Sequence, residues 1–205
     1  MKNQHLDLRI VRTRESIQNA FIELIEEKGF DAISVKDITT RANINRGTFY
    51  AHYEDKFDLM KKCEDEVMLE LSTIVKENFP SVVASLEEDS PIAVPSSIAI
   101  VIFEYLNENS SFMRALLGPN GDLTFQTRLK KFMWKEIFEN EAFDFVRKEN
   151  FLVPGDYLAS YIASAHIGVI QQWLNSGRKE SPEEMAKIFS IITFNGPFFA
   201  AGLKK

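Results

Sequence analysis

The segment SVKDITTRANINRGTFYAHYEDK, residues 34–56, carries two short helical patterns separated by three residues that favour a turn. Ser34 followed by Asp37 makes a capping-box start, with Asp where Glu is preferred, and predicts a helix from Val35 to Ala42. Asn43-Ile44-Asn45 breaks that helix, and Asn45 can cap another from Arg46 to about Tyr53. Two short helices across a three-residue turn are the helix-turn-helix layout. On the second of them Phe49 and Tyr53 stand at i and i+4, the only large apolar face available for docking on a core. Gly47, Thr48 and Ala51 then fall opposite, flanked by Tyr50 and His52.

Outward from this segment the helical spacing continues. Ile10, Ile17, Ala20, Phe21, Leu24 and Ile25 form one stripe of a preceding helix, with Gly29 just past its end as a C-cap. Downstream, Asp55 can cap a long helix through Asn78 that Pro80 ends. Further helices are expected at Pro95–Glu108, Ser111–Leu117, Asp122–Lys148, Gly155–Asn175 and Pro182–Leu203, the last with Ser181-Pro182-Glu183-Glu184 as its start. No stretch alternates as a half-buried strand does. The fold class expected is all-α: a three-helix head, residues 1–54, and an all-helical bundle, residues 55–205.

Composition narrows the function. The net charge is −6, yet residues 1–53 hold eight basic against seven acidic side chains, leaving sixteen against twenty-three elsewhere. The acidic excess sits in the body, so a basic face on the head remains open. A single cysteine, Cys63, excludes an internal disulfide, and His5, His52 and His166 have no metal-ligand spacing. No cofactor is expected. There is no P-loop, dinucleotide loop, HExxH or nucleophile elbow, so an enzyme is not expected either. The polar N-terminus lacks a secretory apolar region, and the runs 92–106 and 188–203 fall short of the roughly 20 apolar residues that span a bilayer. The setting expected is cytoplasmic, with no membrane partner.

The third helix presents the chemistry of a DNA reader. Small residues in the middle of its open face let the backbone sink into a groove, while hydrogen-bonding side chains at the edges reach phosphates. Gly47 costs about 1 kcal/mol relative to alanine inside a helix, offset by close approach to a ligand or explained by a frayed helix start. Arg46 can pair with guanine O6 and N7, or be a solvated surface arginine. Lys56, in the first turn of the long helix, can bind a phosphate. Lys36, Thr39, Thr40 and Arg41 offer further donors, and Arg9, Arg12 and Arg14 can trail along the DNA backbone or minor groove.

At these residues the chain resembles a known family. IQNAFIELIEEKGFDAISVKDITTRANINRGTFYAHYEDKFDL, residues 17–59, is similar to the TetR-family DNA-binding domain, matching at Ala20-Phe21, Gly29-Phe30, residues 34–38, Ala42, Ile44, residues 46–50, His52 and Lys56. The resemblance implies major-groove positions for Arg46, Gly47, Thr48 and Tyr50. It implies phosphate contacts from Tyr50, His52 and Lys56, with Lys36 and Thr39 at the groove edge. Tyr53 stands where the family often has Phe, so its phenol oxygen needs a partner or water.

The body is similar to the C-terminal domain of Firmicutes-type TetR regulators, through residues 112–118, Phe125, Tyr161, Gly168, Trp173-Leu174, Gly177 and residues 181–184. That implies a homodimer through its last two long helices, with Tyr161, Ile162, Val169, Trp173, Ile188 and Ile192 as interface residues. Residues 157–174, apolar nearly all round, agree independently. The resemblance also implies a small-molecule pocket, with Phe103, Tyr105, Phe132, Trp134, Tyr161 and His166 as candidates for an apolar or aromatic effector; plain core is the alternative for each. The function expected is a repressor on double-stranded DNA, released from a palindromic operator by that effector. A co-activator or protein-responsive regulator without a small-molecule effector is the alternative.

Overall fold

A computed structural model of the chain describes residues 2–86, 95–118, 123–135 and 151–201. Regular structure among these is helical: α1 (Lys2–Lys28), α2 (Val35–Arg41), α3 (Arg46–Tyr50), α4 (Lys56–Leu86), α5 (Pro95–Glu108), α6 (Ser110–Leu117), α7 (Leu123–Trp134), α8 (Gly155–Asn175) and α9 (Pro182–Ala200). Met1–Val67 with Ser111–Asp122 forms one compact unit and Met68–Ser110 with Leu123–Lys205 a second, the boundary falling inside α4.

In the first unit the local signals fold as expected. Gly29 ends α1 in the left-handed region, φ 77°, and returns its N–H to the Ile25 carbonyl at 2.9 Å. The capping box of α2 is complete: Ser34 Oγ accepts from the Asp37 amide at 3.2 Å, and Asp37 Oδ2 accepts from the Ser34 amide at 2.8 Å. Asn43 takes the left-handed conformation, φ 53°, in the turn before α3, a geometry asparagine tolerates better than most residues. Helices of seven and five residues are too short to persist alone. A common core holds them, built from Ile17, Phe21, Leu24 and Ile25 of α1, Ile38, Phe49, Tyr53, and Leu59, Met60 and Cys63 of α4. Each large apolar side chain buried this way contributes roughly 1.5–3 kcal/mol. Burial pushes the Cys63 thiol up to about 12, so it packs as a small hydrophobe and not as a nucleophile.

Three helix ends depart from expectation. α3 ends at Tyr50, not near Tyr53: the Ala51 and Tyr53 amides still reach the Gly47 and Phe49 carbonyls, both at 3.0 Å, but in a turn that carries Tyr53 into the core. α4 continues through Pro80 to Leu86, where the sequence predicted a stop at Asn78. Proline deletes one amide donor and crowds one carbonyl, so helix can persist on both sides of it. α9 is broken at Gly196, φ 82° and ψ 165°, ahead of Pro197. The predicted continuation of α7 to Lys148 and of α9 to Leu203 lies outside the described residues.

In the second unit α5 lies along α9, and α8 meets α7 and α9. The Phe103 ring sits edge-on to Trp173 at 5.2 Å and to Phe189 at 5.5 Å. Trp173 is only 2 % exposed, and its indole N–H donates to the Glu180 carbonyl at 3.0 Å. Both its ring and its one polar atom are thus satisfied within the protomer. α9 starts as predicted, with the Ser181 amide donating to Glu184 Oε2 at 2.9 Å and the Glu184 amide to Ser181 Oγ at 3.3 Å. Among the described residues no helix is long and apolar enough to cross a membrane.

Candidate nucleic-acid interface

The two faces of α3 separate cleanly. Phe49 and Tyr53 are 0 % and 2 % exposed with ring centroids 5.6 Å apart, whereas Arg46 and Gly47 are open and Tyr50 is 56 % exposed. The Tyr50 ring rests edge-on against Phe49 at 5.5 Å, which steadies it without covering it. The Tyr53 hydroxyl is buried with no partner at hydrogen-bond geometry among the described residues. Burial pushes its phenol up, against the pull of the Arg14 guanidinium.

Asn45 organises the start of this surface. Its Oδ1 accepts from the Thr48 amide at 2.7 Å and from the Thr48 hydroxyl at 3.1 Å. Thr48 has thus spent its hydroxyl proton inside the head. A Cβ built on Gly47 would stand 3.3 Å from the same Oδ1, so even alanine would crowd the cap. The glycine has an internal reason, and the helix start it occupies is firmly capped, not frayed.

The cationic candidates divide by what already holds them. Arg41 reaches Glu23 at 2.9 Å and Glu27 at 2.7 Å, and these carboxylates push its guanidinium still further up. Arg14 is paired with Glu66, which also accepts from Gln18 at 2.7 Å. Lys56 is half-buried, donating to the Phe30 and Asp31 carbonyls at 3.1 and 3.0 Å and lying 4.8 Å from the Phe30 ring centroid. Part of its donor capacity therefore caps the chain just past α1. Thr39 is 5 % exposed and donates to the Lys36 carbonyl at 3.1 Å, so it offers no free proton at a groove edge. His52 is half-buried beside Tyr53, ring centroids 6.3 Å apart. Lys36, Arg46, Arg9 and Arg12 are exposed, with no ion pair among the described residues.

Among the described residues the six pocket candidates differ in their surroundings. Phe103 and His166 both meet the Phe189 ring, His166 at 4.2 Å between centroids, as packed neighbours. His166 is half-buried, its Nε2 lies 3.1 Å from Thr193 Oγ1, and desolvation lowers its pKa to about 4, so the ring is neutral near pH 7. Tyr161 is 59 % exposed, while Tyr105 and Phe132 are half-buried. Trp134 alone of the six lines the described cavity of 530 Å³, with Phe151, Leu152, Val153, Pro154, Gly155 and Asp156.

Sequence reasoning named Asn45 as a cap but missed its hold on Thr48, a pairing available from the three-residue spacing. It also missed the carbonyl duty of Lys56, for which no local signal exists.

Residues 17–63 match the model of bacterial regulatory proteins of the tetR family, and residues 94–195 match that of a transcriptional regulator C-terminal region of the same kind. An uncharacterized helix-turn-helix transcriptional regulator of Bacillus subtilis, YxbF, is 26 % identical over 92 % of this chain and 46 % of its own length. The transcriptional activator DhaS of the Lactococcus lactis dhaKLM operon is 25 % identical over 63 % of each chain. The crystal structure of NalD, described as the secondary repressor of the MexAB-OprM multidrug efflux pump of Pseudomonas aeruginosa, superposes with a TM-score of 0.63 at 19 % identity, over 91 % of this chain and 97 % of that one. The chain spans about half the length of the first two relatives, 46 % of YxbF and 55 % of a second Bacillus subtilis regulator, YerO. One family model over residues 17–63 and another over residues 94–195 show that the chain belongs to the TetR family of bacterial transcriptional regulators.

Proposed function

We propose that the chain is a homodimeric, cytoplasmic repressor whose heads, residues 1–54, read a palindromic operator and whose body, residues 55–205, releases it on binding a small apolar or aromatic effector. The observation that carries the DNA reading is α3: an open Gly47 and Tyr50 over a buried Phe49 and Tyr53, with Arg46 unpaired at the first turn. Arg46 reads a base, with guanine O6 and N7 the natural partners of its fork. Gly47 lets the α3 backbone approach, and Thr48, its hydroxyl proton spent, offers contact in place of donation. Tyr50, His52 and Lys36 hold phosphates. Lys56 serves the same strand through the charge and proton left over from its two carbonyls, and Thr39 acts by supporting α2.

Dimerisation through α8 and α9 is supported by an exposed stripe on α8, Tyr157, Tyr161, Ser164, Gly168 and Gln172, at intervals of four, three, four and four. Nothing stands within 4 Å of a Cβ at Gly168, the place where a partner helix can come close. Ile188 and Ile191 of α9 are 39 % and 38 % exposed; Ile162, Val169 and Ile192 are half-buried. A two-fold dimer sets the heads one helical turn of DNA apart, about 34 Å, or a multiple of it.

The effector can release DNA only by as much as it prefers the non-binding conformer, typically about 1–3 kcal/mol of coupling. One observation favours the second reading, a regulator without a small-molecule effector: Phe103, Trp173 and Phe189 close on one another. DhaS is named an activator and NalD a repressor, so the sign in this chain follows from where its operator lies relative to the promoter. Selection of duplexes from a random pool by the purified protein tests the DNA reading. A two-fold half-site whose preference relaxes on Arg46→Ala is expected, and selection that Arg46→Ala leaves unchanged overturns it.

A further inference from the structure

The chain leaving α3 is held by two side chains of α4 that take no part in the surface described above. α3 has only five residues, so carbonyls just past its end have no further turn of amides to meet them. Lys62 supplies a donor there, its Nζ donating to the His52 carbonyl at 3.1 Å. The same ammonium donates to Asp58 Oδ2 at 2.8 Å, one turn back on α4, and lies 5.2 Å from the centroid of the Tyr53 ring. Asp58 Oδ2 in turn accepts from the Glu54 amide at 3.0 Å. The chain from His52 to Glu54 is thus clamped at both ends, by a cation on a carbonyl and an anion on an amide, with the buried Tyr53 ring between them.

This is more than a surface ion pair. The Lys62 and Asp58 side chains are 45 % and 22 % exposed, and a pair so placed adds little to stability by itself. Its geometry is what counts. The Lys62 ammonium and the Glu54 amide hold the Asp58 carboxyl below the usual carboxylate range, so it stays an acceptor across neutral pH. Lys62 spends two of its three donors inside the head, which sets it apart from the open cations Lys36 and Arg46. The carbonyl it holds belongs to His52, two residues after Tyr50, and fixing that peptide fixes the backbone from which the half-buried imidazole projects.

We infer that Lys62 is a positioning residue for DNA binding: paired with Asp58, it sets the backbone at His52 so that the imidazole reaches a phosphate, and it does so without touching DNA. The inference rests on the reading of α3 as the DNA-facing helix with His52 at a phosphate.

The test is a cycle of Lys62→Met, His52→Ala and the double variant in the full chain, with Arg46→Ala as reference, each measured for affinity on a selected operator. Lys62→Met removes the donor and keeps an unbranched side chain against the Tyr53 ring, and circular dichroism checks that the helices persist. His52→Ala should weaken binding about fivefold in the wild-type background, and Lys62→Met by a similar factor. In the Lys62→Met background His52→Ala should cost less than about twofold more, because the imidazole is already misplaced. Lys62→Arg, still able to reach a carbonyl and a carboxylate, should keep most of the affinity. Asp58→Asn, which weakens the clamp from its other end, should fall between. Losses that multiply overturn the inference, since Lys62 would then act on DNA by itself. So does an affinity that Lys62→Met leaves unchanged. A silent His52→Ala, with Arg46→Ala still relaxing base preference, overturns the clamp and leaves α3 as the reader. Failure of wild type to prefer any duplex overturns the reading of α3, and the clamp with it.

Discussion

The first unit keeps the outer face of α3 open, whereas the second packs Trp173 and Phe189 against Phe103. Phe49 and Tyr53 are buried so that Tyr50, between them in sequence, stands 56 % exposed; in the body Phe103, Trp173 and Phe189 pack edge to face. A surface already formed needs no rearrangement to bind, so its ligand can be argued from residue chemistry. A packed ring cluster must be parted first, at the cost of the contacts it holds, unless the ligand uses the open cavity beside Trp134. The polar residues divide the same way within the head itself. Arg14, Arg41 and Lys56 hold its helices together, and Arg9, Arg12, Lys36 and Arg46 are left for the outside.

That contrast breaks most sharply at the ring anchors. Phe49→Ala and Phe103→Ala should each cost about 3–5 kcal/mol if both are core, read by urea or thermal unfolding. Near-neutral truncation of Phe103, coupled to lost effector response, would make it a pocket wall instead. Next in size, Arg46→Ala should cost about 1–3 kcal/mol of base discrimination, measured as the affinity ratio between operator and single-base variants. A smaller effect is expected at Lys56. Replacement by Met should lower the unfolding temperature of the free protein and reduce the salt slope of DNA binding by less than the value of about 0.9 per head of a full phosphate contact. A full reduction with unchanged stability would show that the carbonyl contacts give way to DNA.

The mildest test is the pH response of the body. His166 has its folded pKa lowered from about 6.5 to about 4 by burial, so the unfolded chain binds the extra proton first. The stability it contributes is full above about 6.5 and falls away as pH drops toward about 4. His166→Phe should flatten the fall of melting temperature across that window. An unaltered profile would mean that the ring is hydrated in solution.

Much of the head could be read directly from residues 29–56 because its signals act over three or four positions. The Ser34–Asp37 box, the Asn45–Thr48 cap, the left-handed Gly29 and the Phe49–Tyr53 pair each close within one turn of chain. The α4 extension past Pro80 and the break at Gly196 were missed for a related reason, since a proline or glycine states a local cost and not whether the surrounding packing meets it.

Pattern and spacing were enough to establish an all-helical chain with a reading helix near its start, because periodicity, caps and turns are properties of neighbours. Which arginines are spent and which are free was decided only through space: Arg41 meets carboxylates 14 and 18 residues away, Lys56 a carbonyl 26 away, and Arg14 a carboxylate 52 away. The burial of Trp173 was likewise decided through space, since an apolar helix face looks alike in one dimension whether it meets its own core or a second subunit, and it is the Phe103 ring that packs against it within the protomer.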